Sequence, residues 1–262
     1  MSKISSYPLY KSLLVVGATS ELFDRLIKDL LPYVEKFTCI GRNSEQLKTL
    51  QKLYPTHVDI IRLDLDEEPS YQTIETLLKT QSFDGLLQFQ GFGIYGLFKD
   101  IPWQDHEKIM QLNLLSLMRI FHLFTKHQLS PANKKIVIHA TSLAGLVYCP
   151  YLASYSAAKA SLHHFTQTMA MEFSKELTIM SICPKAFGKN FSIKASKGFY
   201  ENPQTIENYT KKVVSAFFHA LIKKKPITFC TLSDRIQAFC YYLFPKKFLF
   251  YLFKKKMSDH IK

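Results

Sequence analysis

The residues best suited to chemistry lie in Ser154-Tyr155-Ser156-Ala157-Ala158-Lys159. Tyr155 and Lys159 are four apart, so a helix places both side chains on one face within reach of a common ligand. A phenol with an ordinary pKa of roughly 10 is a weak acid-base group at neutral pH. A neighbouring ammonium favours the phenolate and lowers that value, and the pair is predicted to make Tyr155 usable for proton transfer. Ser142 follows an apolar run ending at Ala140, where a hydroxyl is placed to hydrogen-bond a substrate carbonyl. Asn113 sits in Met110-Gln-Leu-Asn-Leu-Leu-Ser116, inside a long helical pattern. There it either serves the site or satisfies a buried backbone group.

These residues need elements to hold them. Short apolar runs rich in branched side chains occur at Leu13–Val16, Phe37–Ile40, Val58–Leu63, Gly85–Phe89, Lys135–His139 and Thr178–Cys183, and they read as buried strands. Between them, Glu21–Leu31, Glu45–Tyr54, Tyr71–Lys79, Trp103–His127 and Ser154–Glu176 carry apolar residues at helical spacing, as does Pro203–Lys225 after them. Strand and helix alternating in this way predict a doubly wound, parallel α/β sheet with helices on both faces. Ligands of such sheets sit beyond the carboxyl ends of the strands. The length of 262 residues suits one domain, with residues 1–230 forming the Rossmann-like body and 231–262 a basic, aromatic helical extension of it.

In their order and spacing, Asn113, Ser142, Tyr155 and Lys159 resemble the tetrad of the short-chain dehydrogenase/reductase family, a likeness that runs from about Leu13 to Phe191. The resemblance implies an oxidoreductase that interconverts a carbonyl and a secondary alcohol. Tyr155 would exchange a proton with the substrate oxygen and Ser142 would fix that oxygen. Lys159 would lower the Tyr155 pKa and hold the nicotinamide ribose, and Asn113 would position a relay water. The cofactor supplies the hydride.

Where that family has Gly-x-x-x-Gly-x-Gly, the chain reads Gly17-Ala18-Thr19-Ser20-Glu21-Leu22-Phe23. One glycine remains for the tight turn, and Glu21 brings negative charge to a helix start that otherwise attracts phosphate. The resemblance assigns dinucleotide contacts to Gly17, Thr19, Ser20, Asp64, Leu65, Gly91 and Pro184 as well as to Tyr155 and Lys159. Gly41-Arg42-Asn43 follows the second strand without an acidic residue, so Arg42 is placed for a 2′-phosphate, pointing to NADP ahead of NAD. Leu87-Gln88-Phe89-Gln90-Gly91 and Pro184-Lys185-Ala186-Phe187-Gly188-Lys189 depart from the family pattern. A second reading therefore stays open: a cofactor-impaired relative that works as a binding or scaffold protein.

Cys39, Cys149, Cys183, Cys230 and Cys240 are scattered and form no Cys-x-x-Cys pair, so neither a disulfide framework nor a metal site is expected, and a reducing cytoplasm fits. The N-terminal apolar run is too short for a signal peptide, and no stretch has the length of a spanning helix. The formal net charge is +13, and from Arg235 onward seven Lys or Arg stand against Asp259 alone. Residues 235–256 mix those cations with aromatics, which suits contact with an anionic membrane surface. Cover for the substrate crevice and a homo-oligomer interface are the other readings. Nucleic acid is disfavoured because no recognisable nucleic-acid module accompanies the segment. A small, apolar or lipid-like substrate is expected.

Overall fold

The computed structural model describes residues 9–130, 132–185 and 203–243. Its strands are β1 (Tyr10–Val16), β2 (Val34–Gly41), β3 (Val58–Arg62), β4 (Gly85–Gln88), β5 (Lys135–Ala140), β6 (Leu177–Cys183) and β7 (Ile227–Phe229). The helices are α1 (Glu21–Leu30), α2 (Ser44–Leu53), α3 (Glu68–Thr80), α4 (Trp103–Met110), α5 (Ser116–Gln128), α6 (Ala153–Glu172), α7 (Pro203–Lys223) and α8 (Leu232–Leu243). All strands pair in parallel in the order β3-β2-β1-β4-β5-β6-β7. Each crossover between parallel strands has to travel back along the sheet, and the helices make that return.

The sheet is apolar on both sides because both sides are covered. Alternate residues of β1 divide between two cores. Leu13 and Val15 join Leu26, Phe37, Leu47 and Phe217 on the α1, α2 and α7 side. Leu14 and Val16 join Ile74, Ile120, Phe124 and Ile179 on the α3 and α5 side. The winding reverses between β1 and β4, so the carboxyl ends of the central strands open one crevice along the lip of the sheet.

Three elements differ from the sequence expectation. β7 was not foreseen, since its three residues are too few to show a period. The predicted helix Trp103–His127 is interrupted by a wider π turn at Gln111–Leu115. The expected Ser154–Glu176 helix closes at Glu172, capped by the Phe173 N–H donating to the Met169 carbonyl.

Phe23, which stands where the related loop has glycine, faces inward. Ser20 caps α1 by accepting from the Phe23 N–H, and the helical period then buries Leu22, Phe23, Leu26, Ile27 and Leu30 together. The Phe23 ring lies edge-on to Phe37 at 5.7 Å and tilted against Phe89 at 6.3 Å. Phe23→Ala is expected to lower stability by about 3–5 kcal/mol in urea unfolding, whereas a loss below about 1 kcal/mol would show that the ring is not packed as described.

Candidate active site

The strand ends enclose a crevice of about 780 Å³. Gly17, Thr19, Ser20, Arg42, Asp64, Leu65, Gly91, Ser142, Tyr155, Lys159 and Pro184 all line it. Asn113 lies behind the wall, fully buried. Sequence positions spread over more than 160 residues are thus brought to one place, with Arg42 and Asp64 contributed by the outer strands and Ser142, Tyr155 and Pro184 by the β5–β6 side.

The single glycine kept in the opening turn is the one the backbone requires. Gly17 has φ of +79°, and a Cβ there would lie 2.4 Å from the Gln90 nitrogen. Its N–H and that of Ala18 both donate to the Ile40 carbonyl at 3.0 Å, fastening the end of β1 to β2. Phe23 does not line the crevice, while Glu21 does.

Ser142 is placed by stitching between β5 and β6. The Thr141 N–H and hydroxyl both donate to the Ile182 carbonyl at 2.9 Å. The Leu143 N–H donates to Pro184 at 2.9 Å, and the Ser142 hydroxyl donates to the same carbonyl at 3.3 Å. Ser142 also accepts from the Ala144 N–H at 3.2 Å as the cap of a short 3₁₀ turn. Gly145 of that turn rests on α6, where a Cβ would meet the Lys159 carbonyl carbon at 2.6 Å.

The electrostatics of Tyr155 differ from the expectation. Burial pushes the phenol up to about 12, a hydrogen bond with Ser142 pulls it back, and Cys149 nearby adds to the rise. The Lys159 ammonium lies 5.8 Å from the Tyr155 ring centre and donates to the Ala140 carbonyl at 2.9 Å. Burial brings Lys159 itself down to about 8, since a cation out of water favours its neutral form. His139, fully buried at the end of β5, falls to about 3 through burial and the Lys159 charge, so it is neutral and adds no second cation.

Asn113 owes its position to the π turn. Its side-chain N–H group donates to the carbonyls of Ile109 and Phe92, each at 2.8 Å, tying the helix to the segment after β4. Its Oδ1 atom has no partner among the described residues. Gly91, with φ of +152°, passes so close that a Cβ would sit 2.4 Å from that atom.

Other supports were not foreseen from the sequence. Gly93 lies against the Tyr155 ring, where a Cβ would be 3.1 Å from Cδ2. His106 and Ser154 join at 2.7 Å, and His106 Nε2 meets the Phe98 carbonyl at 3.1 Å. A carbonyl only accepts, so Nε2 carries the proton and Nδ1 accepts from Ser154, bracing the first turn of α6 beside Tyr155. Tyr151 is held at φ of +68°, unfavourable for an aromatic residue. The Gly96 N–H donates to its carbonyl at 2.9 Å, and Tyr95 packs on its ring at 5.3 Å. Lys185 lines the crevice and pairs with the buried Asp234 at 2.9 Å. The Ala186–Lys189 part of the segment lies outside the described residues.

A family model described as short chain dehydrogenase matches residues 11–197. The chain belongs to the short-chain dehydrogenase family. Among its relatives, this short-chain dehydrogenase is 26% identical over 210 residues to the very-long-chain 3-oxoacyl-CoA reductase of Anas platyrhynchos, covering 76% of this chain and 66% of that one. It is 22% identical over 165 residues to the 7beta-hydroxysteroid dehydrogenase of Collinsella aerofaciens, covering 61% and 62%. The chain therefore spans less than two thirds of the length of these curated relatives. A short chain dehydrogenase from Burkholderia cenocepacia J2315, solved in complex with NADP, superposes with a TM-score of 0.76 at 17% identity, over 94% of this chain and 99% of that one. At that identity the likeness carries the fold.

Proposed function

We propose that this short-chain dehydrogenase is an NADP-preferring oxidoreductase that interconverts a carbonyl and a secondary alcohol on an apolar, lipid-like small molecule. The observation that carries this reading is the convergence of Ser142, Tyr155 and Lys159 at one end of a crevice whose other end holds Arg42. The residues present fit a dinucleotide. The turn at Gly17 leaves no Cβ between β1 and Gln90, the volume is that of a cofactor site, and Gln90 and Asn113 each keep a buried oxygen without a partner among the described residues.

Bound there, the dinucleotide supplies the hydride. Gly17, Thr19, Ser20 and Gly91 would hold its phosphates and backbone, Asp64 and Leu65 its adenine, and Pro184 its nicotinamide end. Lys159 would hold the ribose hydroxyls as a cation at neutral pH. Ser142 fixes the substrate oxygen. Tyr155 delivers the proton that completes the alcohol, and a phenol at about 12 is fully protonated at neutral pH, so it stands ready as a donor. Asn113 braces the π turn beside this proton path. The relatives' names, a hydroxysteroid and a very-long-chain acyl enzyme, are in keeping with an apolar substrate.

The reading is tested by following NADPH and NADH oxidation with a set of cyclic and long-chain ketones. Turnover of an apolar ketone with NADPH ahead of NADH is expected. Arg42→Ala is expected to weaken NADPH binding by about 10- to 100-fold and leave NADH binding unchanged. Equal loss for both nucleotides would withdraw Arg42 from the 2′-phosphate. Failure of both nucleotides to bind would favour the scaffold reading.

A further inference from the structure

The peptide unit that joins Pro184 to Lys185 is held along both of its edges. On one edge the Pro184 carbonyl accepts from the Leu143 N–H at 2.9 Å and from the Ser142 hydroxyl at 3.3 Å. On the other, the Lys185 N–H donates to the Tyr209 hydroxyl of α7 at 2.7 Å. A peptide unit is planar and stiff, so a grip on its N–H also aims its carbonyl. Tyr209 is therefore linked through one rigid plane to Ser142, the residue assigned to the substrate oxygen.

Asp234 sets which way the Tyr209 hydroxyl works. A phenol has one proton to give and lone pairs to offer. Tyr209 donates that proton to Asp234 at 3.0 Å, which leaves its lone pairs for the Lys185 N–H. Asp234 is fully buried and also pairs with the Lys185 ammonium at 2.9 Å, so the backbone and the side chain of Lys185 are tied to the same two residues. An ion pair withdrawn from water adds little stability over an apolar pair of the same shape. What this one adds is a fixed direction for Tyr209.

The helix that carries Asp234 also grips the other side of Ser142. Ala238 of α8 is buried in a cluster with Leu143 and Leu146, and the Tyr241 ring lies edge-on to Tyr148 at 4.8 Å. The turn that begins at Ser142 and the peptide that faces it are both docked on α8.

We propose that Tyr209 and Asp234 are positioning residues. Asp234 takes the Tyr209 proton, Tyr209 holds the Pro184–Lys185 peptide, and the Pro184 carbonyl so fixed keeps Ser142 in place for the substrate oxygen. Neither residue lines the crevice, and the proposal rests on the carbonyl reduction assigned there.

The test joins amide hydrogen exchange, followed by NMR on the full chain without nucleotide, to turnover of an apolar ketone with NADPH. In Tyr209→Phe, which keeps the ring, the Leu143 N–H is expected to exchange about tenfold faster, while the Val15 N–H in the central strand β1 exchanges as in the parent. The kcat is expected to fall about 10- to 100-fold, with a far smaller change in NADPH affinity. In a Ser142→Ala background the same substitution is expected to cost no further turnover, because the group it positions is already gone. Asp234→Asn keeps an oxygen for the Tyr209 proton and is expected to retain most of the turnover. Asp234→Leu, of similar size, is expected to match Tyr209→Phe and takes its place if that chain does not fold. Unchanged exchange at Leu143, an equal rise at Val15, unchanged kcat, or an equal further loss in the Ser142→Ala chain overturns the proposal. A parent that reduces no ketone overturns the reaction assigned to the crevice, a result separate from Leu143 exchange, which still reports whether Tyr209 holds the peptide.

Discussion

Tyr155→Phe is expected to reduce the kcat for ketone reduction by about 10²- to 10⁴-fold, with a far smaller effect on NADPH affinity. Only the hydroxyl is removed. The ring is 7% exposed and rests beside Gly93, so phenylalanine fills the same space. What disappears is the acidic proton placed next to Ser142 at the end of the crevice. Ser142 retains the Pro184 carbonyl and the Ala144 N–H as partners, which keeps the variant folded and the comparison clean. Parental turnover in Tyr155→Phe, measured by NADPH oxidation, would take Tyr155 out of the mechanism.

Lys159→Met is expected to have the second largest effect, lowering kcat/KM by about 10²- to 10³-fold and weakening NADPH binding as well. The same residue leaves a mark on stability. Burial lowers its pKa from 10.5 to about 8, so between those values the unfolded chain holds a proton that the folded chain has released. Stability contributed by Lys159 therefore rises with pH across that window and is absent below it. Thermal unfolding in the absence of nucleotide should show the parent gaining on Lys159→Met as the pH is raised from about 8 toward 10.5. A difference between the two chains that stays flat over this range would place the Lys159 ammonium in water rather than against the Ala140 carbonyl.

Much of this arrangement was legible in the sequence because it depends on period. Buried strands such as Leu13–Val16 and Lys135–His139 carry branched residues without interruption, and Tyr155 and Lys159 share a helix face by spacing alone. Phe23 stands where the family's phosphate-binding loop has glycine, yet the period of α1 sends it into the core once Ser20 caps the helix. Less legible were features set by contacts between distant segments. No residue type announces the π turn that sets Asn113 against Phe92 across the crevice wall. The Tyr155 acidity follows from burial and Ser142, which spacing to Lys159 does not reveal. The Lys185–Asp234 pair joins residues 49 positions apart, and only the packing of α8 beneath β6 and β7 brings them together.

The most direct measurement is a fluorescence titration of NADPH with the full chain and with Gly17→Val. A Cβ at position 17 has no room beside Gln90, and φ of +79° opposes any side chain with a branched Cβ. The parent is expected to bind NADPH saturably with enhanced nucleotide emission, and the Gly17→Val chain, still folded by circular dichroism, is expected to lose that binding. A parent that leaves NADPH emission unchanged at saturating protein would contradict a dinucleotide crevice ending at Tyr155 and Lys159.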